Sequence, residues 1–113
     1  MKTITVLLLL LLSCAVILQA QEFSRKDSLR GSLTEIRTCY DVTFYDLFVM
    51  VDEKEKSLEK SYNIIHFNVV SDFDKMQIDL AANMEVMRIE FEQKALEYSR
   101  EFDAVFINFP RIL

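Results

Sequence analysis

The stretch Thr38-Cys39-Tyr40-Asp41-Val42-Thr43-Phe44-Tyr45-Asp46-Leu47-Phe48-Val49-Met50-Val51 decides the fold class. Tyr40, Val42 and Phe44 alternate with Asp41, Thr43 and Tyr45, and a period of two is that of a strand, whose successive side chains leave opposite faces. The apolar phase then moves to Leu47, Val49 and Val51. One extra residue near Tyr45 and Asp46 produces such a shift, because a bulge exchanges the inward and outward faces.

The same period recurs downstream. Ile65, Phe67 and Val69 alternate with Ile64, His66, Asn68 and Val70, giving a second strand that is apolar on one face and mixed on the other. Between the two, Asp52, Glu53, Lys54, Glu55, Lys56, Glu59 and Lys60 crowd a short segment, which reads as a solvated hairpin connection. Met76, Ile78 and Leu80 alternate with Gln77 and Asp79 as a third, half-buried strand, and Val105, Ile107 and Phe109 with Phe106 and Asn108 as a last one. Pro110 ends it by removing a ladder donor.

Residues 81–102 read two ways. Met84, Met87, Phe91, Ala95, Tyr98 and Phe102 fall at helical spacings, with helix-favouring composition; Met84 and Val86, Ile89 and Phe91, and Leu96 and Tyr98 fit strands broken at Glu92-Gln93-Lys94. Periodicity alone leaves both open.

Upstream, Met1-Lys2 precedes an apolar run from Val6 to Leu18, and Leu18-Gln19-Ala20 stands before Gln21 and Glu22. A positive start, a short apolar core and a small residue at the end make residues 1–20 a secretory signal peptide with cleavage after Ala20, and the run is short for a membrane span. Leu12-Ser13-Cys14 loosely resembles a lipobox, but Ala15 to Leu18 stay apolar where a lipoprotein turns polar, so cleavage after Ala20 is preferred over lipidation of Cys14. Residues 21–37, polar and holding the single glycine, Gly31, read as a leader with a helical turn around Asp27 to Arg30.

Removing residues 1–20 from 113 leaves 93, one small domain, and loss of Lys2 takes the net charge from −5 to −6. Nucleic acid and anionic membranes are thereby poor partners. Cys39 becomes the only cysteine, so no internal disulfide is available and the thiol is expected as a small buried hydrophobe. His66 is the only histidine, and a role in packing is expected of it rather than metal ligation. Asp72, Asp74 and Asp79 lack the glycine and glutamate of a calcium loop, and Met84, Met87 and Phe91 are expected to fill core. No catalytic, cofactor or metal residue is assigned.

The run from Arg37 to Leu47, with its Tyr40-Asp41-Val42 and Tyr45-Asp46-Leu47, resembles the first strand of the aminopeptidase N-like zinc metallopeptidases (gluzincins), most nearly their secreted bacterial members. Asp72 to Leu80 is similar to that domain's third strand and Asp103 to Pro110 to a later one, so the likeness covers most of Arg30 to Leu113. It implies an all-β fold: part of an antiparallel, saddle-like β sandwich over residues 38–113, with a hairpin through Glu92-Gln93-Lys94. It also implies glycines near Lys60 and Gln93, both replaced here, at a cost of about 1 kcal/mol for each residue held at positive φ.

In that family zinc is held by a helical HExxH motif and a later glutamate. One histidine cannot build that site, and the family's amine-binding Gly-Ala-Met-Glu-Asn run is missing, Asn83-Met84-Glu85 being a chance likeness. The resemblance therefore implies a non-catalytic β-domain piece that supports or caps a catalytic lobe, with zinc only in that lobe. A free-standing secreted β module binding a protein or glycan is the alternative. Open sheet edges imply self-association.

Overall fold

The computed structural model describes residues 23–113. The signal peptide expected over residues 1–20, its helix and Cys14 lie outside them. The described chain is mostly strand, in antiparallel sheets, with two short helices at its start.

Helix α1 (Arg25–Gly31) and helix α2 (Glu35–Thr38) occupy the segment expected to be a leader with one helical turn. The reason is local. Ser24 accepts from the Asp27 backbone N–H at 3.3 Å while the Asp27 carboxylate accepts from the Ser24 N–H at 3.0 Å, a reciprocal cap that satisfies two orphan donors of the first turn. Leu29 on α1 is buried, so the helix is docked rather than trailing.

Strand β1 (Tyr40–Phe48) pairs antiparallel with β2 (Tyr62–Val69), and the connection between them forms an Asp52–Ser57 bridge at its tip. The Asp52 carboxylate accepts from the Lys54 and Glu55 N–H groups, in keeping with the solvated turn expected there. A bulge is present, but at Thr43: the register steps between Val42 and Phe44, not near Tyr45 and Asp46. Tyr45 and Leu47 thus share a face with Tyr40 and Val42, and Phe44 is sent to the other face beside His66. β1 also ends at Phe48, short of Val51.

Strand β3 (Lys75–Asp79) lies beside β7 (Ala104–Asn108), which also pairs with β6 (Glu97–Glu101), in the order β3-β7-β6. Between them β4 (Glu90–Phe91) and β5 (Lys94–Ala95) make a small hairpin. Residues 90–101 therefore follow the strand reading, with the turn at Glu92 and Gln93 and Lys94 already in β5, whereas residues 81–89, where Met84 and Val86 were expected in a strand, are irregular. Arg100 holds the irregular part, donating to the carbonyls of Leu80, Ala81, Met84 and Phe102, and the Tyr98 hydroxyl donates to Val86 O at 2.7 Å. Tertiary hydrogen bonding overrides helix propensity here.

The core gathers Cys39, Phe73, Met76, Val105 and Ile107, with Val105 fully buried. A line of aromatic rings runs through it: Tyr40 to Phe67 at 5.8 Å, Phe67 to Phe73 at 6.2 Å, Phe73 to Phe109 at 5.5 Å and Phe109 to Phe91 at 5.2 Å. Edge and tilted geometries of this kind add to the area they bury. Met84 and Met87, expected as core, are exposed, Met87 at 85%, because the 80–86 segment is held by its carbonyls rather than by apolar packing. Phe91 alone of that trio is half-buried, its ring against Phe109 at the core's edge.

Candidate interaction surface

On β3 the alternation suggested Gln77 and Asp79 for solvent. Gln77 is instead 2% exposed, beneath α1, with its Nε2 donating to Leu29 O at 3.0 Å and Asp79 Oδ1 at 3.1 Å. Arg37 completes the node, its guanidinium donating to Leu29 O at 2.7 Å and to Asp79 Oδ2 at 2.5 Å. The Leu29 carbonyl is in the last turn of α1, where no intrahelical donor follows, so two side chains from elsewhere satisfy it. The Tyr40 hydroxyl donates to Gln77 O at 2.6 Å, and burial pushes its pKa up. Both faces of β3 are thus covered, and this node is architecture.

Cys39 is buried in the core, and desolvation raises its thiol pKa. His66 is exposed on β2 with its ring 5.6 Å from Phe44, far along the ribbon from Cys39, whose neighbour Tyr40 pairs with Val69. Asp79 belongs to the Arg37 node, while Asp74 accepts through its main chain from the Phe109 N–H. No group of three metal-ligating side chains occurs among the described residues. The shallow depression lined by Met84, Tyr98 and Arg100 has its guanidinium already occupied by four carbonyls.

What is left unpartnered is the β1–β2 ribbon. Near its base Tyr40 and Phe67 pack on the core, but farther out both faces are apolar and wet. One face carries Tyr45 at 55% and Leu47 at 64% exposure; the other carries Phe44 at 61%, Ile64 at 49% and Tyr62 at 52%. Phe48 stacks on Tyr62 at 5.4 Å, a cross-strand pair that stiffens the outer end. With Val69 and Val70 these side chains expose roughly 800 Å² at about 100 Å² each, divided between the two faces, so each face carries a patch of a few hundred Å². Of the inward face expected from alternation, Phe67 packs on the core, Ile65 is half-buried opposite Tyr45, and Val69 is 47% exposed. Alternation gave no sign that the face would run out of core, since burial depends on what packs above a strand.

No helix among the described residues is long and apolar enough to cross a membrane, which leaves β-barrel spans unaddressed. No protein-family model, curated protein or solved structure matches the chain.

Proposed function

We propose that this chain is an exported, non-catalytic β module that supports or caps a catalytic lobe, in the manner of the N-terminal β domain of the aminopeptidase N-like zinc metallopeptidases it resembles. The observation that carries the reading is the β1–β2 ribbon, whose apolar face continues the core past Tyr40 and Phe67 and is then left bare at Tyr45 and Leu47. A second layer over that face would complete the saddle-like sandwich. The chemistry belongs to the lobe: a single histidine in 113 residues cannot supply the paired imidazoles of the family's zinc site. No cofactor is assigned to this chain, and export follows from residues 1–20, with Gln21 as the mature N-terminus.

The test is co-expression with any neighbouring reading frame that encodes HExxH. A one-to-one complex that Leu47→Asp abolishes is the expected result. Purified chain alone should leave aminoacyl anilides intact with or without added zinc. Zinc-dependent turnover by the chain itself would overturn the reading, and capture of an unrelated secreted protein or glycan in place of the lobe would move it to the free-standing module.

A further inference from the structure

The two edges of the ribbon are not alike. β1 carries Asp41 and Asp46 and is interrupted by the bulge at Thr43, all of which discourage strand addition. β2 has none of these devices. From Ser61 to Ser71 the chain holds no Asp, Glu, Lys, Arg, Pro or Gly, and Tyr62–Val69 pairs with β1 without a break on its own strand. Its other edge has no strand partner among the described residues. An unbroken, uncharged, β-branched and aromatic edge is the kind that another strand adds to.

We propose that β2 is a self-complementary edge, on which a second copy of this chain adds antiparallel about a two-fold axis through His66, giving a continuous sheet in the order β1-β2-β2-β1. Charge selects both the occupant and the direction. The chain is net acidic at −5, so two copies repel except where a neutral stretch lets them approach, and β2 is such a stretch. Its ends are oppositely charged, Lys60 before it and Asp72 after it, and neither makes an ion pair among the described residues. Parallel addition in register would set Lys60 beside Lys60 and Asp72 beside Asp72. Antiparallel addition centred on His66 sets Lys60 of each copy beside Asp72 of the other, twice by symmetry, and places Ile65 opposite Phe67 on one face.

The same two-fold keeps like faces together, so the exposed side chains of the two ribbons lie side by side on each face of the sheet. Strand addition covers only the part of each ribbon's exposed apolar area nearest the new seam, so the main-chain ladder along the edge carries the contact. An isologous contact of this kind closes at two copies. This inference uses the edge of the ribbon, whereas the docking reading uses its face, so each can fail alone.

The test is sedimentation velocity on the full chain from about 1 to about 100 μM, a range that brackets micromolar association, paired with hydrogen exchange at high and low concentration. A dimer is expected, with every second amide of β2 gaining protection on concentration and the outer amides of β1 unchanged. Lys60→Glu and Asp72→Lys should each weaken the dimer by about tenfold, one decade of affinity, and the double swap should restore it. Both residues are exposed and outside the strands, so folding is spared. Ile64→Lys should give monomer with unchanged circular dichroism. A monomer throughout the range, open-ended oligomers, single swaps without effect, or protection on β1 in place of β2 would each overturn the proposal.

Discussion

Replacing Arg37 by alanine tests how the N-terminal helices are held on the sheet. The side chain is 22% exposed and makes charge-assisted bonds to Leu29 O and to Asp79, itself 39% exposed. A hydrogen bond to a charged group contributes about 1.5–3 kcal/mol when well shielded, and partial solvation of this pair brings the expected loss to about 1–2 kcal/mol. The loss stays moderate because neither acceptor is orphaned: Gln77 Nε2 still donates to Leu29 O and to Asp79 Oδ1. Gln77→Met, which keeps the unbranched shape, should cost a similar amount for the converse reason. Together the two changes strip every side-chain donor from the last-turn carbonyl of Leu29, so the double variant should lose at least ~1 kcal/mol more than the sum. Urea titration at constant m-value measures all three, and hydrogen exchange at the Ser28 and Ser32 amides locates the loss. Strict additivity, or an Arg37→Ala cost below ~0.3 kcal/mol, would refute the node as the anchor of α1.

Other consequences are equally specific. Glu92 and Gln93 sit at φ 49° and 64° in a two-residue turn, so Asn-Gly at these positions should raise stability by about 1–2 kcal/mol in the same titration, less the exposed Arg111–Glu92 pair. Val105→Ala should cost about 2–3 kcal/mol, since the site is fully buried between β3 and β6 and cannot collapse around the lost methyls; a cost under ~1 kcal/mol would deny it a central place. Cys39 should react with a thiol reagent at least about tenfold more slowly in the folded chain than in urea at pH 8, because burial raises its pKa and excludes the reagent. The Ser24 hydrogen bonds hold the Asp27 carboxyl below its ordinary value, so its support of α1 is present above the ordinary carboxylate range and fades as pH falls through the lowered folded value. Helix chemical shifts of residues 25–31 followed from pH 6 to pH 2, in wild type and Asp27→Asn, check the direction.

Alternation alone determined a good deal about this protein. β2, β3 and β7 are legible because apolar residues two apart must face one way in an extended chain, and Phe67, Met76, Val105 and Ile107 turn inward as their spacing requires. The existence of a bulge in β1 was legible too, as a change of parity; its position was not, since Val42, Phe44 and Leu47 show the same shift wherever between them the extra residue lies. Cross-strand pairing with β2 placed it at Thr43. The helical turn expected around Asp27 to Arg30 is present and starts earlier, at Arg25, on the Ser24–Asp27 cap, and only docking of Leu29 makes that helix part of the fold.

Tertiary structure decided the remainder, because it turns on what lies above a surface rather than along a chain. Gln77 reads as a solvent-facing strand residue and is buried under α1, while Met84 and Met87 read as core and are exposed because Arg100 and Tyr98 hold their segment by its carbonyls. The backbone is left-handed at Lys60 and Gln93, and no property of lysine or glutamine announces it. The bare outer ribbon is the plainest case: its residues alternate as any half-buried hairpin does, and only the absence of a covering layer among the described residues makes them a surface. Sequence sets which side chains share a face; packing sets whether that face is a core or an interface.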